Sequence, residues 1–150
     1  MFPTMYEDAG DRANELKAKD RIEKSWGMVI SKLPGTHPID FIAIKGGRVV
    51  AWIEYKRRSF VWGDFPSVII SVRKVSSLMS FASVTGHPYF AVEDKRGEIR
   101  AARLFIGERF DHCSELGGQT VTTRDSTDIE PVVMLPIDRF KLVDGPQVTR

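Results

Sequence analysis

The sequence predicts an α/β sandwich, a β-sheet covered by helices on both of its faces. Three observations lead there. A helix-forming stretch opens the chain from about Asp11 to Trp26, a hairpin spans His37 to Arg58, and a second helix followed by a second hairpin occupies 72–105. The decisive one is the second strand of the first hairpin. Val50 and Trp52 lie on one side of it, and Val49, Ala51 and Ile53 on the other, so both faces are apolar and both need covering.

The first stretch is rich in Ala, Leu, Lys, Glu and Arg, all good helix formers, and Gly27 closes it at a C-cap position. At 100° per residue, Ala18, Ile22 and Trp26 form one stripe with Leu16 at its edge, and Glu15 projects into the middle of that stripe. Met28 to Ile30 follows as a short strand, ended by the Leu33-Pro34-Gly35 turn. The segment HPIDFIAIKGGRVVAWIEYKRR then reads as two strands joined at Gly46-Gly47. After a mixed loop over 60–65, Val68 to Ile70 is a short strand, and Ser71 caps a helix from about Val72 to Thr85 whose apolar face is Val75, Leu78, Met79 and Ala82. Gly86-His87-Pro88 stops it. Tyr89–Val92 and Ile99–Phe105 form the second hairpin, turning at Lys95-Arg96-Gly97. Beyond Gly107, Gln119–Thr123 and Val132–Leu135 read as short strands, and Ile137–Val143 is a final element of unassigned type.

The totals fit one domain over 1–150: 150 residues, 42% hydrophobic and 28% charged, with no repeat and no low-complexity segment. No run approaches the roughly 18 apolar residues of a membrane span, and the first residues lack the pattern of a secretory signal. The expected location is therefore the cytoplasm. The single cysteine, Cys113, excludes an internal disulfide, and with three scattered histidines it makes no zinc spacing. Net charge is only +2, but Lys56-Arg57-Arg58 and Arg73-Lys74 stand close to the acids considered next.

Glu54 and Lys56 are two positions apart in a strand, so they emerge on one face, the face of Val50 and Trp52. Two charges at the end of an otherwise buried strand call for a reason. Asp40 begins the partner strand. A three-residue turn of Lys45, Gly46 and Gly47 sets it opposite Trp52 and diagonal to Glu54, and is preferred here. A two-residue Gly46-Gly47 turn puts it on the other face unless a bulge intervenes. Two adjacent carboxylates are costly to bury without a cation between them, and hard oxygen ligands suit Mg²⁺ or Mn²⁺. With Lys56 alongside as a point charge, these are the needs of phosphodiester hydrolysis.

Pro38-Ile39-Asp40 followed by Glu54-Tyr55-Lys56 resembles the PD-(D/E)XK nuclease superfamily, in compact, phage-type or Holliday-junction-resolvase-like form, with Ile39 as an insertion in the first motif. The resemblance covers roughly Asp11 to Val92 and implies a restriction-endonuclease-like core, a central mixed β-sheet flanked by helices. It implies a Mg²⁺- or Mn²⁺-dependent nuclease acting on DNA, with metal held by Asp40, Glu54 and the Tyr55 carbonyl, and with Lys56 assisting the attacking water. It also implies an acid on the opening helix, matched by the Asn14-Glu15 pair, and polar or basic residues on the later helix, matched by Ser71 and Lys74. Arg57, Arg58 and Arg73 join these as candidate nucleic-acid contacts. A viral source would make the host cytoplasm the site of action, and a homodimer is one expectation, since cutting both strands needs two centres. The rival readings are a catalytically silent nucleic-acid-binding module and an RNA-directed nuclease.

Plainer roles stand beside these. Glu54 and Lys56 fit a strand-end salt bridge, and Glu15 fits an i,i+4 pair with Lys19, with Glu23, Asp11 and Glu7 as rival acids. The basic pairs fit solvated charges. Phe60, Trp62 and Phe65 are expected to pack on the sheet edge rather than stack on bases.

Overall fold

Eighteen residues, Ala9–Trp26, form helix α1, and among its described side chains only a narrow stripe, Ala18 and Ile22, is fully buried. The computed structural model describes residues 9–110, 113–114 and 131–147. The expected strand over 119–123 lies outside them. After α1 come β1 (Val29–Lys32), β2 (Phe41–Lys45), β3 (Arg48–Arg57), β4 (Ser67–Ser71), α2 (Val72–Ala82), β5 (His87–Glu93) and β6 (Ile99–Arg103). Beyond these lie β7 (Cys113–Ser114), β8 (Val132–Pro136), a 3-10 turn (Ile137–Arg139) and β9 (Phe140–Asp144).

Six strands make the main sheet in the order β1-β2-β3-β5-β6-β9. Only β3 and β5 run parallel, joined by the β4–α2 crossover, so the sheet is mixed. β4 does not enter it. It pairs instead with β8, which also pairs with β7, in a separate three-stranded sheet. The last element, unassigned from sequence, is the 3-10 turn followed by the edge strand β9.

Alternation along β3 divides the interior in two. Ala51, Ile53 and Tyr55 pack with Ala18 and Ile22 of α1, together with Phe41, Ala91 and Ile99. On the other face Trp52 packs with Phe90 and Val92, under Val75 and Leu78 of α2 and the small sheet. The sandwich reading therefore holds: the sheet is covered by α1 on one face and α2 on the other. Among the described residues, no helix is long and apolar enough to cross a membrane.

The β2–β3 turn departs from the preferred reading. Lys45 pairs with Arg48, so the turn is the two residues Gly46 and Gly47, at φ of 59° and 75°. Two positive φ angles are what a tight hairpin turn of this twist demands, and glycine takes them without steric cost. The register then shifts between Ala43 and Ile44: Ile44 pairs with Val49 and Ala43 with Ala51, which leaves Val50 as an extra residue in β3. This bulge reverses the parity that the short turn imposes.

The α2–β5 connection is built against the bulge. Thr85 Oγ1 donates to the Val49 carbonyl at 3.2 Å, Trp52 Nε1 donates to the Thr85 carbonyl at 2.9 Å, and Gly86 stands at φ of 76°. A Cβ on Gly86 would lie 3.0 Å from the Val50 carbonyl carbon and 3.2 Å from the Ala51 nitrogen. Backbone cannot yield as a side chain does, so Gly86→Ala is expected to destabilise the protein by at least about 1–2 kcal/mol. Urea denaturation of the variant beside the parent measures this, and an unchanged midpoint would show that the connection is not tied to the bulge.

Two buried polar hubs hold the far ends of the strands. The Asp94 carboxylate, fully buried, accepts from the backbone N–H groups of Trp62, Arg96 and Glu98 at 2.9–3.0 Å. Burial raises its pKa, but these bonds and the one from the Arg96 side chain outweigh that, and the net shift is downward. Trp62 is locked by a second bond, Nε1 to the Glu98 carbonyl at 3.0 Å, and by Arg100 stacked over its ring. Trp62 and Phe60 therefore pack, as expected, whereas Phe65 is exposed. On the α1 face, Tyr55 donates to Glu93 at 2.6 Å, and Arg21 bridges Glu93 and Asp144 at 3.4 and 2.6 Å. That network ties α1 to β3, β5 and β9.

Candidate active site

Extending the β2–β3 register one step beyond the Phe41–Ile53 pair sets Asp40 directly opposite Glu54. The two acids therefore share a face, but through the bulge rather than through a three-residue turn, and Asp40 stands opposite Glu54 and not, as expected, opposite Trp52, whose partner is Ile42. Asp40 is fixed by its own backbone and side chain together. Its carbonyl accepts from the Leu33 N–H at 2.8 Å, and Oδ2 accepts from the Tyr55 N–H at 2.9 Å.

Glu54 sits beside Phe90 of the parallel neighbour, beneath α2, and its side chain is 1% exposed. Among the described residues neither of its carboxylate oxygens accepts a well-aligned hydrogen bond. The ammonium groups of Lys74 and Lys56 stand at 3.4 and 3.6 Å from Oε2, ion-pair distances rather than hydrogen bonds of good geometry. Burial, and next the charge of Asp40, push the Glu54 pKa up to about 7, while Lys56 and Lys74 pull it down. A buried carboxylate in this state is costly unless its charge is balanced, and the two ammonium groups supply that balance at ion-pair range.

The basic residues divide by position. Lys56, in the strand, is 43% exposed at the mouth. Lys74 reaches in from the first turn of α2, where its Nζ also donates to the Pro38 carbonyl at 2.7 Å. Ser71 is the N-cap of that helix: its Oγ accepts from the Lys74 N–H at 3.1 Å. Arg58 continues the face of Glu54 and Lys56. Burial lowers the pKa of its guanidinium and the charge of Glu54 raises it back in part. Arg57 and Arg73 are exposed.

Glu15 of α1 is paired with a lysine. It meets Lys32 at 2.8 Å, on the strand that pairs with β2 beside Asp40. No group of three or more acidic, histidine or cysteine side chains suited to a metal ion occurs among the described residues. Tyr55 directs its side chain to the opposite face, into the Glu93 network, so only its backbone is available to the site.

Arg58 and Lys74 were named from the sequence as nucleic-acid contacts, but not as neighbours of Glu54. For Arg58 that placement was within reach, because positions 54, 56 and 58 alternate onto one face of a strand. The Lys74–Glu54 contact was not, because it crosses from α2 to β3.

A family model described as "Phage putative PDDEXK endonuclease" matches residues 1–143. The chain belongs to this family. The Asp40, Glu54 and Lys56 cluster lies within the matched residues, as does everything described up to Val143. Among solved structures, the chain is similar to Hjc of Archaeoglobus fulgidus, a Holliday junction resolvase from an archaeal hyperthermophile. That likeness has 22% identity and a TM-score of 0.48, over 59% of this chain and 72% of that one. No curated protein matches the chain.

Proposed function

We propose that this PDDEXK family member is a divalent-metal-dependent DNA endonuclease whose centre is Asp40, Glu54 and Lys56. The observation that carries the reading is the Glu54 carboxylate, fully buried, without a well-aligned hydrogen bond among the described residues, and directly opposite a second carboxylate. The donor set fits a hard cation. Two carboxylates and the Tyr55 carbonyl are oxygen ligands, and Mg²⁺ or Mn²⁺ is commonly held by one or two carboxylates with water completing its shell. When bound, such an ion polarises a phosphoryl oxygen and lowers the pKa of a coordinated water.

The remaining steps belong to the chain. The Tyr55 N–H holds the Asp40 carboxylate in register with Glu54. Lys56, at the mouth of the site, orients the attacking water and offsets the charge that develops on the phosphate. Glu15 supports the centre from α1 through Lys32 rather than by joining a cluster of three acids. Lys74 and Arg58, with Arg57 and Arg73 further out, lead the phosphate backbone toward Glu54. Ser71 contributes by capping α2 and so setting the backbone from which Lys74 reaches in. Cutting both strands of a duplex requires two such centres, which favours action as a homodimer.

The test is cleavage of labelled single-stranded, duplex, flap and four-way-junction DNA, and of RNA, with Mg²⁺, Mn²⁺ or EDTA. Metal-dependent cutting of a DNA member of the panel is expected. Cutting confined to RNA would move the substrate class, and binding without cutting under any metal would make the chain a silent binding module.

A further inference from the structure

We propose that Lys74 is the internal counter-cation of the ion-free site, and that a divalent ion enters only by displacing its ammonium from Glu54. This rests on the metal-site reading above and adds a residue that opposes the ion rather than holding it. The ammonium lies among oxygen acceptors, 2.7 Å from the Pro38 carbonyl and 3.4 Å from Glu54 Oε2. It is delivered there deliberately in structural terms, from a helix turn pinned by the Ser71 cap. Lys56 approaches the same Oε2 at 3.6 Å, so both cations crowd one oxygen and leave Oε1 without a hydrogen-bond partner among the described residues.

An ion held by Glu54 and Asp40 brings two further positive charges to within a few ångströms of Lys74. Like charges at that range repel strongly in so dry a setting. The lysine has an escape: its side chain is 32% exposed, and its four-carbon stem lets the ammonium swing outward. There it meets solvent at the mouth of the site, where a phosphate would arrive. Lys74 therefore guards Glu54 while the ion is absent and becomes a phosphate contact once the ion is in place.

Mn²⁺ titration by calorimetry, without nucleic acid, reads this directly on the parent, Lys74→Met, Lys74→Arg and Glu54→Gln. Lys74→Met is expected to bind Mn²⁺ at least about fivefold more tightly than the parent, because it removes a competing charge. Lys74→Arg is expected to stay near the parent, because it keeps one, and Glu54→Gln to lose binding. A purely structural lysine would leave affinity unchanged, and one that positions Glu54 for the ion would weaken it on removal; either result overturns the proposal while leaving the metal site standing. Absence of any Mn²⁺ binding in both the parent and Lys74→Met would instead bring down the metal reading itself. Circular-dichroism melting checks that each variant folds, with Lys74→Gln substituting for Lys74→Met if the latter does not.

Discussion

Asp40→Asn is expected to lower the rate of nucleic-acid cleavage by at least about 10³-fold, on the order of 4 kcal/mol of transition-state stabilisation, while leaving the fold intact. The two halves of that expectation come from different atoms. Asp40 Oδ2 accepts from the Tyr55 N–H at 2.9 Å, a bond that the asparagine carbonyl oxygen can keep. What asparagine removes is the negative charge opposite Glu54, and with it half of the paired carboxylates available to a cation. Single-turnover cleavage beside a thermal melt separates the effects. An unchanged melting temperature with lost cleavage supports a catalytic acid. Equal loss of both would reduce Asp40 to a strand anchor, and retained cleavage would remove it from the centre.

The second large effect is on stability and appears without any substrate. The Glu54 pKa rises from the usual 4.5 to about 7, first because the carboxyl is buried and next because Asp40 is opposite it. Below about pH 4 folded and unfolded chains are both protonated at this residue, and it contributes nothing to the pH dependence. As pH rises through 4.5 the unfolded chain releases its proton while the folded chain retains it, so the folded state loses ground. The loss is complete once pH passes about 7. At roughly 1.4 kcal/mol for each pH unit, the ion-free protein carries a penalty on the order of 3 kcal/mol at pH 8 that is absent at pH 4.

Glu54→Gln deletes that penalty. The cost of burying its amide is independent of pH, so the quantity to read is how the stability gap between variant and parent changes from about pH 4 to about pH 8. In urea denaturation with EDTA, that gap is expected to move toward the variant by the amount above. Saturating Mg²⁺ should close the change, because an ion neutralises the carboxylate that the substitution removes. A gap that does not vary with pH would show that Glu54 ionises as an ordinary surface acid does.

Local pattern carried the parts of this molecule whose causes are local. Ala18 and Ile22 are the fully buried positions among the described side chains of α1, and they lie on the stripe that helical spacing marks. Glu54 and Lys56 share a face because strand residues alternate, and Ser71 caps α2 because a side-chain oxygen there satisfies the N–H of Lys74. The turn resisted the same reasoning. Gly46-Gly47 admits either a two- or a three-residue hairpin, and the outcome depends on Val50 bulging where Thr85 and Gly86 press against β3, more than thirty residues further along the chain. The small sheet escaped for a similar reason: β4 looks like any short apolar strand, and its partner β8 lies some sixty residues away. The Glu54–Lys74 pair likewise joins two elements whose separation in space no periodicity encodes.

The most direct test of the central claim is single-turnover cleavage of a labelled DNA substrate by the parent and Glu54→Gln, purified identically and assayed with Mg²⁺ and with EDTA. Cleavage by the parent that needs Mg²⁺ and disappears in Glu54→Gln is the predicted result. Equal cleavage by both proteins, or cleavage by the parent that survives EDTA, would contradict a metal-dependent centre built on Glu54.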